Sequence, residues 1–283
     1  MTCLLFGLVL FSSGCFGRNK MENATIHTTV YPIQYFAEVL YGNHSNISSI
    51  YPDGANILNY ELTDKQRNTY SKADVFIYNG ATDEKQLAKD FISNNRRLQI
   101  IDVAYGLRYK YAPEELWLSP NNALMLVSNI KDNLKSFIDS KFINEEIDNN
   151  YKDIEEILSL RDAEIRSIAR TASQKGHNTL VVSSNAFRFL EDYGFQIVSL
   201  EDISDDGNIN VLKKNYSNGT YKYLFMKANE EVNEVINDLK SSGANLITVN
   251  TMETLNDENR KNNDNYLTIM QEFIENIKNT VLS

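Results

Sequence analysis

The stretch "NEEIDNNYKDIEEILSLRDAEIRSIARTASQK", Asn144–Lys175, decides the architecture. Ile147, Tyr151, Ile154, Leu158, Ile165 and Ile168 recur at helical spacings amid charged residues, and no Gly or Pro interrupts them before Gly176. Apolar residues on one face of a 3.6-residue period predict a single amphipathic helix of roughly thirty residues, on the order of 45 Å long. Placed in mid-chain, such a helix is a rigid connector between whatever lies on either side.

Both sides alternate between strand and helix signals. Upstream, "TIHTTV" (Thr25–Val30), "ISSIY", "DVFIYNG" (Asp74–Gly80) and "LQIIDV" (Leu98–Val103) read as strands. Between them, "PIQYFAEVLYG" opens with Pro32 in a first helical turn and stops at Gly42, and Thr63 or Asp64 caps a helix running towards Lys72. Val75, Phe76, Ile77 and Tyr78 are apolar at consecutive positions, the pattern of a parallel strand covered on both faces. Downstream, "TLVVS" (Thr179–Ser183), "FQIVSL", "YKYLFM" and "ANLITVN" are strands. "NAFRFLEDYG" up to Gly194, Glu230–Ser241 and a terminal segment from about Asn263 are expected to be helices. The expected fold class is therefore α/β: two lobes, each a mostly parallel sheet flanked by helices, joined by one long helix. The expected division is 1–23 as signal and tether, 24–143 as the N-terminal lobe, 144–175 as the connecting helix and 176–283 as the C-terminal lobe.

The composition, 42% hydrophobic and 23% charged over 283 residues, is that of a folded chain large enough for two lobes. A net charge of −10 argues against a nucleic-acid partner, because phosphate recognition needs clustered Lys and Arg. The two cysteines, Cys3 and Cys15, both precede the body, which leaves it without a disulfide or a thiolate ligand. The start "MTCLLFGLVLFSSGCFGRNK" has an apolar run about half the ~20 residues of a spanning helix, as in a signal peptide. "SSGC" looks like a lipobox with Cys15 as the acylated residue, although Ser12 stands where Leu is usual and no Lys or Arg precedes the apolar run.

Several further segments stand in a telling order: "TTVYPIQYFAEVLYGN", "PDGANILNYE", "ELWLSPNNALMLVSNI", "SSNAFRFLEDYGF" and "NTMETLNDENRKNNDNYLTIM". With them the mature chain resembles the zinc/manganese-type substrate-binding lipoproteins of ABC transporters, and "WLSP" (Trp117–Pro120) is the most specific match. The resemblance implies two α/β lobes with a metal held between them. It also implies a location outside the cytoplasm on a Cys15 lipid anchor, a membrane ABC permease as partner, and a monomer.

The family usually grips its ion with three histidines and a carboxylate. Carried over residue by residue, the first histidine falls on Leu58, the second on Glu115, the third on Ser184 and the carboxylate on Glu253. Zinc prefers nitrogen and sulfur donors, and His27, His44 and His177 lie in separate segments with no shared ligand spacing. The expected set is thus oxygen-only: Glu115, with Glu114 as the neighbour that could take its place, Glu253 and Ser184, with Asn59 or Asn185 as alternatives. It suits Mn²⁺, Ca²⁺ or Mg²⁺ better than Zn²⁺, or no cation at all. Two roles follow: a solute-binding transport component with an altered or degenerate metal site, or a surface interaction or adhesion protein on the same scaffold. No catalytic order of Ser, His and Asp, no phosphate-cradling Gly loop and no nucleophilic Cys supports an enzyme.

Overall fold

A computed structural model of the chain describes residues 21, 23–203 and 205–282. The lipidation expected at Cys15 and the signal segment lie outside the described residues.

The first half runs β1 (Ala24–Thr28), α1 (Tyr31–Tyr41), β2 (Ser45–Ser49), α2 (Asp64–Tyr70), β3 (Val75–Tyr78), α3 (Glu84–Asn94) and β4 (Gln99–Asp102). Next come a short α4 (Glu115–Leu118), α5 (Pro120–Phe137) and the long α6 (Lys141–Lys175). The second half has β5 (Thr179–Val182), β6 (Gln196–Ser199), α7 (Asp206–Ser217), β7 (Tyr223–Lys227), α8 (Glu234–Ser241) and β8 (Asn245–Val249). It ends with α9 (Asp257–Asn262) and α10 (Tyr266–Leu282). The strands form two four-stranded parallel sheets of the same topology, β2-β1-β3-β4 and β6-β5-β7-β8. This is the expected two-lobed α/β fold.

Packing explains the consecutive apolar residues. All four residues of β3 are buried: Val75 and Ile77 join the main core, and Phe76 and Tyr78 join a second cluster with Phe91 and Leu98. Likewise Leu180 and Val182 of β5 face the main core, while Val181 packs with Leu224 and Met226. Each central strand therefore carries a hydrophobic layer on both sides, as a parallel sheet requires.

Helix α6 starts three residues before the expected point, because the Ser140 hydroxyl accepts the Ile143 N–H and caps it there. It ends at Gly176, whose φ of 72° takes the left-handed C-cap conformation. Its inward stripe, including Ile147, Ile154, Leu158 and Ile165, lies in a core that also takes in residues of both sheets. Tyr151 is only half-buried, with the Lys131 ammonium 4.0 Å from its ring centroid.

Other local expectations shift for physical reasons. Thr63 does cap α2, in a reciprocal capping box with Gln66. Asn185–Tyr193 is a 3-10 helix rather than an α-helix, closed by Gly194 at φ 100°. The terminal helix expected from about Asn263 begins at Tyr266 as α10, because Asn263 at φ 57° ends a further short helix, α9, just before it. Among the described residues no helix is long and apolar enough to cross a membrane.

Candidate functional site

In open parallel sheets, ligand sites form beyond the carboxyl ends of the strands, where the strand order reverses. In each lobe that point lies between the first and third strands, and both lobes turn such ends toward one cavity of ≈ 610 Å³. Val30 follows β1, Asn79 follows β3, Lys227 ends β7 and Glu253 follows β8; all four line the cavity.

At its floor is an ion-pair triad. The Lys227 ammonium donates a short hydrogen bond to Glu114 and lies 3.2 Å from Glu253 Oε1. The three side chains are only 15%, 11% and 10% exposed. Burial works against the charge on Lys227, but Glu253 and Glu114 outweigh it and hold the ammonium above its ordinary pKa. Because Glu114 precedes α4 and Lys227 ends β7, this pair also ties the first half of the chain to the second.

Glu253 is fixed from two further directions. Its Oε2 accepts the Thr251 hydroxyl at 2.6 Å, and its backbone carbonyl accepts the Tyr31 N–H at 3.0 Å. The residue between, Met252, is buried with φ 64°, a left-handed conformation costing on the order of 1–3 kcal/mol for a non-glycine residue. That turn re-aims the chain after β8, and the Asn250 side-chain oxygen accepts the Met252 N–H at 2.8 Å within it.

The remaining expected site residues are placed differently. Glu115 is turned away from the cavity: its carboxylate accepts backbone N–H groups of Lys110, Tyr111 and Ala112 at 2.9, 2.6 and 2.9 Å. Consecutive residues of a helical turn point about 100° apart, so the preceding glutamate, Glu114, takes the cleft position instead. Ser184 caps the 3-10 helix by accepting the Ala186 N–H, and it does not line the cavity. Asn185 bonds Glu201 and Asp202, and Asn59 is exposed outside the cavity lining. Leu58 is 84% exposed at the cavity. Of the expected ligand set, Glu253 alone reaches the cavity floor.

The histidines are elsewhere. His27 bonds Ser48 at 3.0 Å, His44 pairs with Glu146 at 2.9 Å, and His177 is exposed. Among the described residues no cluster of three or more His, Cys, Asp or Glu could hold a metal ion. The donor set therefore does not fit zinc.

Two further carboxyls line the cavity, those of Asp83 and Glu84. Burial pushes Glu84 from near 4.5 up to about 7, opposed by the Asn79 backbone N–H at 2.8 Å. The sign of the consequence is unusual for a carboxyl. Between these two values the unfolded chain has given up a proton that the folded chain retains, so stability falls as pH rises through this window and stays low above it. Glu84→Gln, which keeps an acceptor for Asn79, is expected to abolish that slope and to stabilise the protein at pH 8 by up to about 3 kcal/mol. Urea unfolding of both proteins at pH 5 and pH 8 tests this; parallel pH profiles would refute it.

The two lobes thus present their strand ends to one shared cleft, with a charged floor built from both halves. The chain belongs to the ZnuA family, described as zinc-uptake complex component A, periplasmic, which it matches over residues 26–280. That family consists of solute-binding proteins of ABC transporters, not enzymes. Among curated relatives, the zinc-binding lipoprotein AdcA of Streptococcus pneumoniae is 23% identical over 300 residues, covering 96% of this chain and 58% of the relative. The iron-binding protein YfeA of Yersinia pestis is 27% identical over 219 residues, covering 71% of this chain and 69% of that protein. The chain thus spans little more than half the length of the AdcA relatives it matches. Among solved structures, the Zn(II)-bound ZnuA-like domain of S. pneumoniae AdcA superposes with a TM-score of 0.75 at 23% identity, covering 92% of this chain and 99% of that one. The metal-dependent lipoprotein YcdH of Bacillus subtilis gives a TM-score of 0.78 at 21% identity, covering 92% and 100%.

Proposed function

We propose that this protein is the extracytoplasmic solute-binding component of an ABC importer, held at the membrane by a lipid on Cys15, and that it hands its solute to a membrane permease as a monomer. The observation carrying this reading is the cleft, where strand ends of both lobes converge and Glu114 and Lys227 join them across it. Family membership supports the same role.

The solute is not zinc held by histidines. Leu58 stands where the first histidine is expected, and Lys227 pairs with both carboxylates that would otherwise face an ion. A hard cation such as Mn²⁺, Ca²⁺ or Mg²⁺ suits these oxygen donors better than Zn²⁺, but it must compete with the ammonium for them.

Two measurements test the reading. The full lipid-anchored chain, cross-linked in its native membranes, is expected to capture an ABC permease identified by mass spectrometry. Recovery of no permease would overturn the transport role and favour a surface interaction protein. Protein purified without chelator is expected to hold substoichiometric zinc; a stoichiometric content would overturn the altered site.

A further inference from the structure

We infer that the cavity beside the Lys227 triad takes a small organic cation, an amine with an apolar or aromatic body, in place of a metal ion. This inference rests on the solute-binding reading above and names the class of its cargo.

Charge gives the sign. Asp83, Glu84, Glu114 and Glu253 line the cavity, against Lys227 as the single basic side chain there among the described residues. The cavity remains net negative even when Glu84 keeps its proton. An anionic solute would lose its hydration and gain repulsion there.

The triad disfavours the simplest cation. A divalent ion seated between Glu114 and Glu253 would displace an ammonium already within pairing distance of both. The displaced Lys227, at the end of a strand in a nearly enclosed position, would then be left without a counter-charge. Taking one partner away from such a buried pair is strongly unfavourable, because the remaining charge keeps its desolvation cost. The protein therefore supplies its own cation at the cleft floor. Of the triad's four carboxylate oxygens, Glu114 Oε2 alone is engaged by neither Lys227 nor Thr251, and with the Asp83 carboxylate it remains for a cationic ligand.

Size and lining give the body of the ligand. A cavity of ≈ 610 Å³ is far larger than a bare ion needs and falls within the roughly 300–1,000 Å³ of small-molecule sites. Its walls include the half-buried rings of Tyr60 and Tyr109, backed by the buried Tyr51 and Trp117, with Ile57 and Leu87 as aliphatic surface. Aromatic rings attract an organic ammonium through their quadrupole while covering its apolar groups, a combination that inorganic ions do not use. The residue at the first expected ligand position, Leu58, belongs to the same apolar wall.

The test is isothermal titration calorimetry on the mature chain with choline, putrescine and tryptamine. The controls are 3,3-dimethylbutanol as the neutral counterpart of choline, MnCl₂ and ZnCl₂. Binding of at least one amine is expected, with choline, if it is the one bound, favoured over its neutral counterpart by about tenfold or more. Tyr60 is half-exposed, so Tyr60→Ala is expected to fold and to weaken that binding by about tenfold; circular dichroism confirms the fold. The inference is overturned if none of the three amines binds, if the neutral alcohol binds as well as choline, if Tyr60→Ala leaves affinity unchanged, or if Mn²⁺ or Zn²⁺ binds stoichiometrically. Should a permease be cross-linked while no amine binds, only this inference falls; should no permease be recovered, the transport reading falls.

Discussion

Replacing Lys227 with methionine is expected to lower unfolding stability in chelator at pH 7 by about 3–5 kcal/mol, and Mn²⁺ is expected to restore part of that loss. The size follows from what the substitution leaves behind. Methionine keeps the length and apolar stem of lysine, so packing at the end of β7 is nearly conserved. The ammonium is lost, and Glu114 and Glu253 are left side by side at 11% and 10% exposure with no positive partner. Two such carboxylates relieve their repulsion by taking up a proton or a cation. The variant should therefore be more stable at pH 5 than at pH 7 and should respond to a hard divalent ion that the parent ignores. The parent behaves oppositely: its lysine pKa is raised, so the stabilisation from the triad persists until pH climbs past the ordinary lysine range. Urea unfolding with chelator, then with added Mn²⁺, decides the matter. A variant as stable as the parent in chelator would show that Lys227 is not the counter-charge of the cleft.

This triad marks the boundary of what the sequence discloses. The long helix was legible because its apolar stripe repeats over many turns, and a cap shifts only its start. The central strands were legible because two-sided burial forces consecutive apolar residues, as in Val75–Tyr78. Glu253 was legible through the family resemblance, whose carboxylate ligand falls on it. Glu115 was chosen over Glu114 because two adjacent identical residues differ only in direction, and direction is set by the turn into α4. The three backbone N–H groups that claim Glu115 come from Lys110, Tyr111 and Ala112, a loop conformation with no periodic signature. Ser184 was misplaced for a related reason: the segment after it closes as a 3-10 helix, and its hydroxyl caps that turn. Lys227 was missed altogether, since at the end of "YKYLFMK" it reads as the polar residue that stops a strand. The available signal was topological. A lysine at the carboxyl end of a buried strand beside the point where strand order reverses sits where ligands bind, and no residue count reveals that until the order β6-β5-β7-β8 is known.

Trp117→Ala is expected to cost about 3–5 kcal/mol, and Trp117→Phe about 1–3 kcal/mol, with the difference measuring packing and the smaller value measuring one hydrogen bond. Trp117 is 2% exposed, and its indole Nε1 donates to the Thr251 carbonyl at 2.7 Å. Its own carbonyl accepts the Tyr266 hydroxyl at 2.5 Å, from a side chain that is fully buried. One residue of α4 is thereby bonded to the segment after β8 and to α10, elements from the other half of the chain. Alanine opens a cavity at that junction and strands the Thr251 carbonyl. Phenylalanine refills most of the volume but still leaves the carbonyl without its donor. The effect should extend beyond stability, because Thr251 also positions the cleft carboxylate: its hydroxyl donates to Glu253 Oε2. Trp117→Phe is therefore expected to weaken whatever amine the parent binds while leaving the fold intact by circular dichroism. Equal stability of Trp117→Phe and the parent in urea would mean that the indole N–H contributes nothing to the junction.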